Sequence, residues 1–427
     1  MKMTTITERL VILSVLTLLI SGSTLAQRSD IQFYRYNDIR GLNVFETSKN
    51  DTIGFDGFKL RIGGDFAMQF QGLNQSNRLD SLSELGTNFN LPNANLNIDV
   101  QLHDGVRMHL RTYLSSRNHE EAWVKGGNLT IDKLDFIKPG FASDLMEKAT
   151  IIVGLDEINY GDAHFRRSDN ARAIFNPFVG NYIMDAFSTE AFGEFNYQTN
   201  GFIGVLGISN GKLNQNVVVT DNSDNKISFY GKLGYDKQMT DDLRVRLTGS
   251  WYTNNGTSTG FWIYGGDRSG ARYYHVMESL EEAANRSGSP FEGRFNPRFS
   301  QLTAFQINPF IKFKGLEFFG IIESINNGSD QGDGSFTQLA GELIYRFGRR
   351  EQLYLGGRYN TVSGEMVEGA ETRKINRLNI GGGWYLTDNV MTKIEYITQN
   401  YNDDGWVGTK YDDGEFDGFV VEAVISF

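Results

Sequence analysis

The chain has no cysteine, so a disulfide framework and a thiolate metal site are both excluded. It has only 6 Pro and 5 His among 427 residues. Beyond the N-terminus it has no run of ~18 apolar residues, so a transmembrane helix is not expected. An excess of basic charge is missing too: the formal net charge is −11, which argues against nucleic acid as a partner. What the chain has in abundance is 48 Gly, 31 Phe and 19 Tyr. That mixture is unusual for a soluble enzyme. It suits a membrane β-barrel, whose lipid face is apolar on alternate residues only, leaving mean hydropathy low.

The first 26 residues have the three parts of a secretory signal. Lys2 and Arg9 precede an apolar run from Leu10 to Ile20, and Thr24-Leu25-Ala26 suits cleavage before Gln27. The run is too short to span a bilayer comfortably. Residues 27–56 show no period and read as a periplasmic lead-in, with the barrel over 57–427.

From Gly57 a period of two sets in. Phe58, Leu60, Ile62, Phe66, Met68 and Phe70 share one face, and Lys59, Arg61, Asp65, Gln69 and Gln71 the other. Ala94 to Leu102 alternates in the same way, and Asp104-Gly105 then supplies a tight turn into Val106, Met108 and Leu110. Short turns recur at Thr199–Gly201, Met239–Asp242, Lys314-Gly315, Gly348–Glu351 and Thr387–Asn389. Longer polar connections at 72–92, 116–122, 159–188, 211–225, 254–302, 326–335, 364–373 and 402–416 alternate with them. Short ends on one side and long loops on the other are the asymmetry of outer-membrane barrels. The segments 123–137 and 148–158 are the least regular strands. Their apolar parity slips between Ile131 and Leu134, which predicts a bulge. The count is about 16 antiparallel strands, or 18 if 254–302 hides a short pair. The final strand alternates from Phe419 to Phe427, and such an aromatic ending is the signal expected to engage the barrel assembly machinery.

Strand length separates a barrel from a sandwich, because globular strands average ~5–6 residues and these dyads run further. Parity places Lys59, Arg61, Arg107, Arg111, Lys232, Arg244, Arg246, Lys312, Arg346, Arg358, Arg377 and Lys393 inward. It also places Asp65, Asp99, Glu194, Glu317, Glu323, Glu342, Glu395 and Glu422 there. So many charges on one face suit a wet lumen. The loop 159–188 combines Arg166, Arg167 and Arg172 with Phe165, Phe175, Phe178, Tyr182 and Met184. An exposed loop of that composition is costly. Folded inward, it would leave Arg166 and Arg167, with Arg172 and His164 near them, at a constriction that attracts anions. The alternative is that these arginines pair with inward carboxylates such as Glu194 or Asp156 and pin the loop. The connection 254–302 holds Trp262, Tyr264, Tyr273 and Tyr274 and could be a lid, a receptor surface or a short helix around 276–286.

The strand GFKLRIGGDFAMQFQ at 57–71 and IIVGLDEINYGDAHFRRSDN at 151–170, with 94–115 and the closing strand, resemble the phosphate-selective porin O and P family. The resemblance implies a sixteen-stranded barrel that passes small anions through a basic constriction, with Arg166, Arg167 and Arg172 in the corresponding loop. The family's basic ladders are not matched, since the wall here mixes cations and carboxylates.

The expected function is therefore passive diffusion of small hydrophilic solutes across the outer membrane, with no enzyme activity, cofactor or metal and with a homotrimer left open. Alternatives are a scaffold or adhesin with a closed lumen, and a lipid-hydrolysing barrel. His103, His109, His119, His164 and His275 lie at no nucleophile motif. The acidic stretches Asp221–Asn225 and Asp330–Gly334 lack full calcium-loop spacing.

Overall fold

A computed structural model describes residues 30–427, apart from 52, 115–121, 169–171, 214–215, 222, 257–262, 266–272, 289–292 and 329–331. The signal-peptide segment and Trp262 thus lie outside the described residues, as does part of each acidic stretch.

Sixteen strands close into one antiparallel barrel, each bonded to the next in sequence and the first to the last. They are β1 (Lys59–Ser76), β2 (Asn88–His103), β3 (Val106–Leu114), β4 (Ala122–Ile131), β5 (Ala149–Glu157), β6 (Thr189–Thr199), β7 (Phe202–Ser209) and β8 (Ser228–Gln238). The second half comprises β9 (Leu243–Asn254), β10 (Leu302–Phe313), β11 (Leu316–Asn327), β12 (Ser335–Phe347), β13 (Leu353–Glu365), β14 (Arg373–Tyr385), β15 (Val390–Asn402) and β16 (Glu415–Ser426). Closure pairs Asp65 with Ser426 and Ser76 with Glu415. The seam extends one residue further, where Gly64 and Phe427 exchange backbone hydrogen bonds of 3.1 and 3.0 Å. Gly63 permits that approach: a Cβ there would lie 2.5 Å from the Phe427 carbonyl oxygen.

The alternation expected from the sequence is the alternation of faces. On β12, Leu339 is 47% exposed, whereas Gln338 and Glu342 are buried. Phe305, Ile322, Leu343, Leu355 and Ile394 extend the same outward apolar surface around the barrel. A continuous apolar exterior on a closed sheet is a membrane-facing surface, because closure leaves no unpaired backbone edge in hydrocarbon. Placing an arginine at mid-strand on this face, as in Leu339→Arg, is expected to cost about 2–4 kcal/mol. The check is the denaturant midpoint for folding into lipid vesicles.

Two local expectations need correction. β4 ends at Ile131, not near 137, and the connection to β5 carries a short helix, Ser143–Met146. Asp132 ends the strand: its N–H donates to the Gly105 carbonyl at 2.7 Å, and its carboxylate accepts from Thr150 at 2.7 Å. The bulge lies at the other end of the strand. Arg111 pairs with Gly126 and Thr112 with Val124, leaving Lys125 as the extra residue. Among its described residues, 254–302 adds no strand pair. It carries the helix Leu280–Asn285, closed by a capping box between Ser279 and Glu282.

Candidate functional site

The bore is occupied from both ends of the chain's logic: a long loop enters it and an N-terminal strap crosses it. The loop is 158–188. Ile174, Phe178, Val179, Ile183 and Met184 are buried inside the barrel. A loop buried this way must find partners for its backbone polar groups, and inward side chains of the wall supply them. The N–H groups of Val179, Ile183 and Met184 donate to Glu395, Asn360 and Gln338 at 2.8, 2.7 and 2.9 Å. Lys393 on β15 donates to the carbonyls of Ala173, Asn176 and Phe178. Arg358 on β13 donates to that of Gly180 at 2.7 Å. The loop is thereby fastened to the β12–β15 side of the wall.

The arginines singled out in the sequence are in this loop, and each faces a carboxylate. Arg166 contacts Glu342 at 2.6 Å and lies 3.8 Å from Glu317. Arg167 grips Asp185 through Nε and Nη2 and stacks 3.9 Å over the Phe187 ring. Arg172 pairs with Glu157. Their partners are thus not Glu194, and Asp156 instead meets Arg111 at 3.4 Å. His164 bonds Asn159 at 3.1 Å, and burial pushes its imidazole down from the usual value despite Glu157 nearby.

Most inward wall cations are paired in the same manner, whereas Arg377 donates to Gln399 and to the Asn181 and Gly293 carbonyls. Arg346 meets Glu317 at 2.6 Å, Arg358 meets Glu342 at 2.7 Å, and Arg244 meets Asp236 at 2.6 Å. Arg107 meets Asp132 at 3.3 Å, and Lys59 reaches Asp56 at 2.8 Å near the barrel rim. Arg246 and Lys232 both reach Asp162 at 2.8 Å. Arg61 lies 5.0 Å from the centre of the Tyr34 ring. Cations and carboxylates are interleaved around the bore, not arranged as a basic ladder.

Sequence reasoning missed the strap, residues 31–53. It enters by the β2–β3 turn, where the Gln32 side chain reaches Asp104 at 3.0 Å. It passes the neighbouring β14–β16 stretch of the wall, where the Ile39 N–H meets the Asp388 carbonyl at 2.9 Å and Ser426 bonds the Asn37 carbonyl at 2.8 Å. It then crosses to the far wall, where Asn43 is bonded to Glu317 at 2.7 Å and Glu46 lies 2.7 Å from Arg246 and 3.3 Å from Lys232. Lys49 then contacts Asp132 at 3.0 Å. Burial alone would raise the Glu46 carboxyl, but Arg246 and Lys232 hold it down to about 2. The strap also touches the loop. Phe45 packs edge-on to Phe165 at 5.7 Å, Arg35 donates to the Phe165 carbonyl at 3.0 Å, and its guanidinium lies 4.3 Å over Phe175. The available signal was aromatic density: Phe33, Tyr34, Tyr36 and Phe45 punctuate a polar stretch just as aromatics do in 158–188.

The second long loop also turns inward. Tyr264 donates to Glu323 at 2.6 Å, Tyr273 to Glu395, and the Phe295 N–H to the Ile183 carbonyl at 2.8 Å. Free space survives on the side away from the loop's anchors. A cavity of about 230 Å³ lies against β2–β6, between the wall and Tyr34, Arg35 and Phe165. A larger one of about 1000 Å³ opens at the short-turn end. Both are lined by Glu46 and Gln198, and Gln198 bonds the Thr47 carbonyl at 3.0 Å. Inside the bore His109 pairs with Asp99 at 2.6 Å, and among the described residues no serine bonds either of them.

No protein-family model and no curated protein matches the chain. Its backbone matches those of solved outer-membrane proteins. The anion-selective porin from Comamonas acidovorans is 9% identical with a TM-score of 0.53, covering 87% of this chain and 100% of that one. The outer membrane channel DcaP of Acinetobacter baumannii is 10% identical with a TM-score of 0.54, covering 88% and 99%. OmpF of Salmonella typhi, in a complex with daunomycin, is 12% identical with a TM-score of 0.50, again covering 88% and 99%. At such identities the likeness is one of fold, and the fold is the sixteen-stranded barrel of outer-membrane porins.

Proposed function

We propose that the chain is a porin of the outer membrane, exported by residues 1–26 and passing small hydrophilic solutes by diffusion. The observation that carries this reading is the combination of an apolar exterior with a charged interior that keeps two neighbouring cavities along one wall. Loop 158–188, fastened by Arg166 and Arg167, acts as the constriction. The terminal Phe427 at the barrel seam suits recognition by the assembly machinery.

Liposome swelling with sugars of graded size tests the reading. Swelling should be measurable for the smallest sugars and fall steeply with size, because loop and strap leave only part of the bore open. Absence of swelling with every sugar would instead favour a scaffold with a closed lumen, the second reading, which the depth of filling supports. Preference for anions such as phosphate rests on the resemblance to the phosphate-selective porin O and P family. The pairing of Arg166, Arg167 and Arg172 with carboxylates argues that any such preference is modest. A reversal potential across a KCl gradient measures it.

A further inference from the structure

The smaller cavity has an unusual electrical wall. Most charged side chains around it are matched across short distances: Arg111 with Asp156, Arg172 with Glu157, and His109 with Asp99. Two are not. Among the described residues, Arg35 makes no ion pair with a carboxylate and Glu194 makes none with a cation; Glu157 and Glu46 act on Arg35, and Lys232 on Glu194, only from beyond contact. Arg35 spends Nε and Nη2 on the carbonyls of Gly41 and Phe165 at 3.0–3.2 Å. Its Nη1 is buried with no acceptor. Glu194 accepts only from neutral donors: Asn196 and Tyr230 at 2.8 Å and the Asn159 N–H at 3.3 Å. Both poles are held by one stretch of the loop, through Phe165 and Asn159.

A buried charge with no ion pair in contact is unfavourable, and one ligand bearing both signs relieves both. Phe165, Phe175 and Phe192 line the same cavity and offer an apolar surface between the poles. At about 230 Å³ the space lies below the usual range for drug-sized ligands. We propose that this cavity is a binding site for a small zwitterion with an apolar side group, of the α-amino-acid class. Its carboxylate meets Arg35, its ammonium meets Glu194, and its side group lies against the phenylalanines. The proposal rests on the porin reading for how the ligand arrives.

Calorimetry on the full protein in detergent, with L-phenylalanine as probe and phenylacetate and phenethylamine as single-charge controls, tests it. Phenylalanine should bind about tenfold more tightly than either control, a difference of about 1.4 kcal/mol. Arg35→Gln should erase that margin, and Arg35→Lys should retain part of it. Arg35 is on the strap and not on the wall, so neither variant prevents closure of the barrel. Glu194→Gln should likewise erase the margin. Equal binding of the three compounds, or none, overturns the proposal. KCl conductance of the same preparation in planar bilayers separates the two readings. Current without phenylalanine binding removes the zwitterion site and leaves the porin, while binding without current removes the porin and leaves the site.

Discussion

Deleting residues 31–53 should raise single-channel conductance severalfold while leaving a folded barrel. The strap crosses the bore at the short-turn end and lines both cavities, so its removal joins and widens them. The wall tolerates the loss because the strap's ionic partners are shared. Arg246 keeps Asp162 and Asp236 when Glu46 is gone. Glu317 keeps Arg346, and Asp132 keeps Arg107. None of the wall groups that form an ion pair with the strap is stranded, so the penalty for an orphaned buried ion does not arise there. Heat-modifiable migration should be retained while the planar-bilayer current rises. Unchanged conductance would mean that solutes do not pass the strap.

Acid should reproduce part of this effect through Glu46. In the latched state its carboxyl sits at about 2, below its ordinary 4.5. The latched state therefore binds a proton less readily than the released one. Its stabilisation is fully present above about 4.5 and is lost as pH falls through about 2. Conductance should hold steady from neutral pH to that upper value and then rise. Glu46→Gln should remove the dependence, since a neutral amide cannot titrate.

How much of this was legible in the sequence depends on which force holds each part. The strands were legible because a period of two follows directly from the pleat, and Asp104-Gly105 and Asn200-Gly201 mark where the chain turns. The end of β4 was not, because Asp132 is fixed by Gly105 and Thr150, on a neighbouring turn and on the next strand. The inward folding of 159–188 could be argued from the cost of exposing its aromatics. The partners of Arg166 and Arg167 could not, since Glu342 belongs to a strand more than 170 residues away. The strap was least legible of all. It joins no ladder, so it leaves no period, and contacts such as Asn43 with Glu317 are set only once the barrel has closed around it.

The largest destabilisation expected from one inward substitution is at Glu342. Its Oε1 accepts from Arg166 at 2.6 Å, and its Oε2 accepts from Arg358 at 2.7 Å and from Tyr182 at 3.3 Å. One carboxylate thus answers two buried guanidiniums, one from the wall and one from the loop. Glu342→Ala leaves Arg358 without a carboxylate and Arg166 with only Glu317 at 3.8 Å, at a cost of about 3–5 kcal/mol. The backbone ladders of β11, β12 and β13 do not involve the side chain, so the barrel should close. The loss should fall on loop 158–188, which gives up its ionic anchor on that wall. The unfolding midpoint in detergent should drop, and the current should switch among several levels as the loop moves. Converting Arg166, Glu342 and Arg358 together to Met, Leu and Met should recover most of the stability, because no charge is then left unpaired. A Glu342→Ala protein as stable and as quiet as the parent would show that the loop is held by its apolar burial alone.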